Sequence, residues 1–207
     1  YSRYFGQNFK KVVAVEPDEH RYKKTIESLA DMKNVEFVHG TAGSVVLDKK
    51  ADAIVNIHVL QHIHKDAVEE ILEFATHNLA TGGIFILAMT KKTKLDYQWN
   101  IAWQDDRARY SAVPEQVFEY VTSENVPGVL PVRKEDIKVV LQRLRDKNFS
   151  IEAQVEYAPR FVDQKHRLVG KIFMFLYSFL PVDIFYHFVN LVGYPLQEDV
   201  LIVARRN

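Results

Sequence analysis

Residues 11–18 read Lys11-Val-Val-Ala-Val-Glu16-Pro17-Asp18. Four consecutive apolar residues ending in an acid describe a strand buried on both faces, the kind found in parallel sheets. Asp18 is placed to cap a following helix, on which Tyr22, Ile26 and Leu29 share one face. This strand-then-helix unit sets the pattern for the next seventy residues. A short strand, Val35-Glu-Phe-Val38, is closed by His39 and Gly40, and a second buried strand runs Ala53-Ile-Val-Asn-Ile57. A helix is expected from about Asp66, with Val68, Ile71, Leu72, Ala75 and Leu79 at helical spacing and Gly82-Gly83 as its stop. Ile84 to Met89 is another continuous apolar strand. Strands alternating with helices imply a parallel sheet with right-handed crossovers, a doubly wound α/β domain.

Beyond Met89 the pattern breaks. Residues 91–131 carry Trp99, Trp103 and several tyrosines with little periodicity. A helix is expected from Arg133 to Asn148 with Ile137, Val140, Leu141 and Leu144 inward. Phe149 to Tyr157 alternates strictly, as a strand wet on one face does, and the last strand is Val200 to Ala204, ended by Arg205-Arg206. Between these two strands, Leu168 to Tyr194 is an apolar insertion, expected to be helical in two pieces around Pro181. No internal repeat or low-complexity tract interrupts the chain.

The bulk numbers agree with one folded domain. The chain has 207 residues, 47% hydrophobic and 26% charged, which is globular rather than disordered composition. Lys+Arg and Asp+Glu both number 27, so no basic excess points to a nucleic-acid partner. With no cysteine, the chain makes no disulfide, thiolate metal site or Cys nucleophile; this composition fits a reducing compartment, and a cytoplasmic location is expected. The most apolar stretch, Ile172 to Leu180, is too short to span a bilayer. Tyr1 is not a natural start, so targeting is not judged from it.

Four segments resemble class I S-adenosylmethionine-dependent methyltransferases. They are Val12-Val-Ala-Val-Glu16-Pro17-Asp18, then Val38-His39-Gly40-Thr41-Ala42, then Asp52-Ala-Ile-Val-Asn-Ile-His58-Val-Leu-Gln-His62-Ile, and last Leu79-Ala-Thr-Gly82-Gly83-Ile-Phe-Ile. The third is similar to the family's fourth strand and its V-L-x-H-I loop, and the fourth to its L-x-x-G-G approach to the fifth strand. The final two strands match the sixth and seventh, the seventh being antiparallel in this family. The resemblance implies a Rossmann-like, mostly parallel sheet with an antiparallel last strand and helical insertions. It makes residues 1–207 one methyltransferase domain, with its core at 1–90, 133–157 and 198–207 and insertions at 91–132 and 158–197. The family's glycine-rich loop is expected immediately upstream, since Tyr1-Ser-Arg-Tyr-Phe-Gly6 resembles the helix that follows it.

The resemblance further implies S-adenosyl-L-methionine as cofactor, with Glu16, Pro17, Gly40, Thr41, Ala42, Ile57 and His58 along its site. Glu16 would accept both ribose hydroxyls, although such an acid would suit NAD equally. Thr41 and Ala42 would present backbone groups to the adenine, and His39 reads as a loop histidine. His58 is the candidate general base, since a histidine titrates near neutrality and an acceptor hydroxyl must lose its proton. His62 reads as structural and His64 as solvated. Tyr97, Trp99 and Trp103, with Tyr110, lie where the family builds its acceptor pocket; they could equally form the core of a cap. No metal site is expected, because His58, His62 and His64 lack a carboxylate at ligand spacing. Residues 168–194 could cover a greasy acceptor, form a dimer surface, rest on a membrane face or pack as a subdomain. The expected activity is methyl transfer to a small-molecule or lipid-like acceptor, on oxygen. The rivals are a nucleotide-sugar or NAD-dependent oxidoreductase and a non-catalytic methyltransferase-like binding module; the first lacks a Tyr-x-x-x-Lys pair here.

Overall fold

Val12–Glu16 forms the first strand, β1, between helix α1 (Ser2–Asn8) and helix α2 (Glu19–Ser28). The computed structural model describes residues 1–92, 97–103, 110–159 and 197–207. Its contacts divide the chain into two compact units, Tyr1–Lys50 and Ala51–Asn207.

In the first unit β1 pairs in parallel with β2 (Val35–His39), in register from Val12 opposite Val35 to Glu16 opposite His39. The expected cap is present: the Asp18 carboxylate accepts the Arg21 N–H at 2.7 Å and starts α2. Leu29 and Val35 are buried, and the Asn34 amide donates to both the Gly6 and Phe9 carbonyls, tying the end of α1 to the approach of β2.

In the second unit β3 (Ala51–Ile57), helix α3 (Lys65–Asn78) and β4 (Leu79–Thr90) make a parallel β-α-β crossover. Helix α3 buries Val68, Leu72 and Ala75 against the sheet. The helix does not run to Gly82-Gly83 as expected; it stops at Asn78, and Leu79 is already strand. The glycines sit instead where the β3–β4 register jumps, from Ala51 opposite Leu79 to Ala53 opposite Ile84. Gly82 takes a left-handed φ of 78°, and a side chain on Gly83 would meet the Ala80 carbonyl oxygen at 2.8 Å.

Helix α5 and two long strands complete this sheet. β8 (Phe149–Pro159) and β9 (Gln197–Arg206) follow α5 (Ile137–Asp146), and the strand order is β3-β4-β9-β8. β9 lies antiparallel to both neighbours, so the last strand is the antiparallel one. Phe85, Leu87 and Met89 of β4, Val200 and Ile202 of β9, and Val140 and Leu144 of α5 form the core with the face of α3.

The segment that lacked periodicity is ordered by pairing rather than by a helix alone. β5 (Trp99–Trp103), β6 (Tyr110–Ala112) and β7 (Val129–Arg133) form an antiparallel sheet in the order β6-β5-β7, with α4 (Glu115–Glu124) between β6 and β7. Arg133 therefore ends a strand instead of opening α5, which Asp136 caps at the Lys138 N–H. The apolar insertion at residues 168–194 lies outside the described residues. Among those described, no helix is long and apolar enough to cross a membrane.

Candidate active site

In open α/β sheets the carboxyl ends of parallel strands hold ligands, because strand ends and the loops after them leave unpaired polar groups there. In the first unit, that edge carries five of the expected site residues. Glu16 closes β1; Gly40, Thr41 and Ala42 follow β2, and the Gly40 N–H donates to the Glu16 carbonyl at 3.2 Å. The Glu16-Pro17-Asp18 turn is fixed by three bonds. Asp18 N–H donates to Glu16 Oε1 at 3.0 Å, His39 Nε2–H donates to the Pro17 carbonyl at 3.1 Å, and Arg21 N–H donates to Asp18. The His39 ring also stacks on Tyr22, with centroids 5.0 Å apart. His39 is thus a strut between the two strand ends, which its place in the sequence did not show.

After β2 a 3₁₀ turn at Ala42–Ser44 bends the chain, with the Ser44 hydroxyl on the Thr41 carbonyl at 2.8 Å. A Cβ on Gly40 would come within 2.2 Å of that hydroxyl oxygen. Glycine here keeps the turn tight and its backbone approachable.

In the second unit, Ile57 is the last residue of β3, opposite Ala88, and His58 follows with a φ of 55°. A left-handed residue with a side chain costs about 1–2 kcal/mol, so the surrounding structure must hold it. It is held by the His58 N–H on the Ala88 carbonyl at 2.8 Å and by His58 Nδ1, 3.4 Å from Gln61 Oε1. One residue before Ile57, the buried Asn56 Oδ1 has no hydrogen-bond partner among the described residues.

The loop then makes a 3₁₀ turn, Leu60–His62, that the β5–β7 sheet grips from two sides. His62 Nδ1–H donates to the Pro131 carbonyl at 2.6 Å, and the Arg133 guanidinium donates to the Leu60 carbonyl at 3.1 Å. Arg133 is 1% exposed. Its cation lies about equally near the rings of Trp99 and Phe118, at 5.9 and 6.0 Å, and its Nε is 2.7 Å from Glu135. Burial pulls the Arg133 pKa down, and Glu135 and Glu119 oppose that shift. His62 thus helps to hold the turn to β7. His64 is not simply solvated: Nδ1 accepts the Asp66 N–H at 3.2 Å as the cap of α3, and Nε2 lies 2.7 Å from a Glu119 oxygen.

Trp99, Ile101 and Trp103 alternate on one face of β5, opposite buried Asn100 and Ala102. The Trp99 ring packs on Phe118 at 5.0 Å, so it shares the core of this small sheet. Tyr97 is 59% exposed and its carbonyl accepts from the Asn100 amide at 2.9 Å. Tyr110 contributes backbone to β6. Among the described residues, no three His, Asp or Glu side chains are grouped as metal ligands.

A β3-β4-β9-β8 order with β9 antiparallel is the fold of Rossmann-like methyltransferases. Solved structures of that fold align with the chain. One is an S-adenosylmethionine-dependent methyltransferase from Mesorhizobium loti, at TM-score 0.58 and 14% identity over 95% of this chain and 81% of that one. Another is Burkholderia thailandensis 1,6-didemethyltoxoflavin-N1-methyltransferase with bound 1,6-didemethyltoxoflavin and S-adenosylhomocysteine, at TM-score 0.58 and 14% identity over 99% and 65%. A third is the glycopeptide N-methyltransferase MtfA complexed with S-adenosyl-L-methionine, at TM-score 0.57 and 13% identity over 99% and 80%. No curated protein sequence matches significantly. Residues 1–87 match the family described as methyltransferase domain. The chain thus has the Rossmann-like fold of these methyltransferase structures, and residues 1–87 carry the match to the methyltransferase domain family.

Proposed function

We propose that the chain transfers the methyl group of S-adenosyl-L-methionine to a hydroxyl of a small-molecule or lipid-like acceptor, with residues 1–207 acting as one methyltransferase domain. The observation that carries this reading is Glu16, a carboxylate fixed by its own turn at the carboxyl end of a parallel strand inside the family-matched segment. The residues suit the cofactor. Glu16 Oε1 takes one backbone N–H and leaves acceptor sites for a vicinal diol. The glycine-tight turn at Gly40, Thr41 and Ala42 suits a flat base, with Pro17 completing that edge. In the second unit, Ile57 and His58 are the residues we assign to the cofactor, beside the buried acceptor Asn56 Oδ1.

The cofactor supplies an activated methyl on a sulfonium. What remains for the chain is alignment and one proton. The His58 imidazole would take the proton that an acceptor hydroxyl loses as its oxygen receives the methyl group. Tyr97, Trp99 and Trp103 are assigned to the acceptor, with aromatic faces for an apolar body. The sequence of residues 168–194, rich in phenylalanine, allows a cover for a greasy acceptor, a dimer surface, a membrane contact or a packed subdomain. The cysteine-free chain is assigned to the cytoplasm.

Two measurements test the reading. Calorimetric titration should show S-adenosylmethionine binding and no comparable binding of NAD. Labelled-methyl transfer to a panel of phenols, aliphatic alcohols and amines should favour hydroxyls. Preference for amines, the chemistry that two of the aligned structures carry in their names, would replace oxygen by nitrogen as the acceptor atom.

A further inference from the structure

Gln61 is 3% exposed, on the loop between β3 and α3, and nothing in its sequence neighbourhood singles it out. Its place follows from how β3 ends. The parallel ladder reaches its last backbone bond where the His58 N–H meets the Ala88 carbonyl, and His58 then turns the chain away in its left-handed conformation. The Thr90 N–H of β4 is left facing a strand that has gone. A fully buried N–H needs an acceptor, and Gln61 Oε1 supplies it at 2.9 Å, standing in for the missing backbone carbonyl.

This settles which end of the amide faces inward. With the amide reversed, its NH₂ would confront the Thr90 N–H, donor against donor. The oxygen is held there by Thr90, which is itself pinned when its hydroxyl donates to Asp199 at 3.0 Å across the antiparallel β4–β9 pair. The same Gln61 oxygen lies 3.4 Å from His58 Nδ1. A carbonyl oxygen only accepts, so Nδ1 must carry a proton, and the neutral ring has only one to carry.

We infer that Gln61 is a positioning residue that fixes the tautomer of His58, placing the proton on Nδ1 and the basic lone pair on Nε2. A neutral imidazole in water prefers the opposite tautomer, so without Gln61 the ring presents an N–H where the proposed reaction needs a base. The assignment refines the reading of His58 as proton acceptor and is tested separately from it.

Nitrogen NMR of the chain labelled at histidine nitrogens, recorded above the titration range of imidazole, reads the tautomer directly. The His58→Gln spectrum identifies the His58 signals. Wild type should show a protonated Nδ1 and a pyridine-like Nε2. Gln61→Glu keeps an acceptor and should keep that pattern, whereas Gln61→Met should move most of the population to Nε2–H. A protonated Nε2 in wild type overturns the inference. So does an unchanged tautomer in Gln61→Met with the Thr90 amide still protected from exchange. If Gln61→Met fails to fold, the wild-type and Gln61→Glu spectra still decide. A His58→Gln protein that turns over S-adenosylmethionine at the wild-type rate with the acceptor panel would refute the base and leave the tautomer standing.

Discussion

Replacing Glu16 by alanine should weaken S-adenosylmethionine binding by about one to two orders of magnitude, and the structure sets both the size and the control. A carboxylate has about four acceptor positions. One of them takes the Asp18 N–H at 3.0 Å, which leaves enough for both hydroxyls of a ribose. Hydrogen bonds to a charged group contribute up to roughly 1.5–3 kcal/mol each. Glu16 is only half-buried, so water recovers part of each. The pair together at about 1.5–3 kcal/mol, with about 1.4 kcal/mol per decade, gives about a 10- to 150-fold change in Kd. The alanine variant also loses the Asp18 bond, but Asp18 is exposed, so water replaces Glu16 there and the fold should lose no more than about 1 kcal/mol. The Glu16→Gln variant separates the two effects. Its amide oxygen can keep the turn and one hydroxyl, so the melting curve should stay at wild type while Kd rises about tenfold. Calorimetry with S-adenosylmethionine and a thermal melt of each variant give the answer. A Kd within about twofold of wild type for Glu16→Ala, with an unchanged melt, would refute the assignment of the ribose to this carboxylate.

Arg133→Met should cost about 1–3 kcal/mol in urea unfolding, because the part-buried Glu135 loses its cation and the Leu60 carbonyl loses its donor. Gly83→Ala should cost about 1–3 kcal/mol, since the added carbon meets two backbone carbonyls, of Ala80 at 2.8 Å and Asp52 at 3.2 Å, that have little room to yield. Gly82→Ala meets nothing within 4 Å and should cost only the left-handed backbone penalty, about 1–2 kcal/mol, so thermal melts should rank the pair. The pairing of Glu73 on α3 with Lys147 after α5 should shape the pH dependence of stability. The hydrogen bond from Lys147, then its charge, holds the Glu73 carboxyl below its usual value. Its stabilisation is therefore present above about pH 4.3 and lost as pH falls through the folded value. Burial lowers the Lys147 pKa but Glu69 and Glu73 raise it further, so that side is lost only above about pH 10.4. Urea midpoints between pH 7 and about pH 3.5 should fall less steeply in Glu73→Gln than in wild type.

The elements most legible in the sequence are those with a regular apolar pattern. β4 is a long apolar run and largely buried, and α3 and α5 show their buried residues at helical spacing. The apolar residues of β1 and β3 marked strands as well, although neither is buried on both faces as the sequence implied; their residues are part-buried or exposed. β5 and β7 escaped because several of their buried positions are polar or cyclic. Asn100, Pro131 and Arg133 sit inside the small sheet, and no pattern of hydropathy marks a buried guanidinium. Arg133 read as the start of a helix for that reason. The limit of α3 was misplaced because a glycine pair suits both a helix stop and a strand irregularity, and only the pairing partner, β3, distinguishes them. At the candidate site, the acid ending β1 and the histidine following β3 stood out as residue types at family spacing. Gln61 and His39 were not, since their roles depend on which backbone groups lie unpaired across the sheet.

Those two polar side chains do comparable work. Each stands at the end of a parallel strand pair, and each satisfies a backbone group beyond the ladder: His39 at the Pro17 carbonyl, Gln61 at the Thr90 N–H. In both cases the residue so fixed lies beside a proposed functional group, the Glu16 carboxylate in one unit and the His58 imidazole in the other. The left-handed backbone of His58 then has a physical reason. It breaks the ladder one residue early, and the vacancy is what brings a glutamine oxygen to Nδ1. Because Arg133 and Pro131 hold the turn that carries Gln61, the β5–β7 sheet sets the precision of that oxygen, although none of its residues touches His58 in the bonds described.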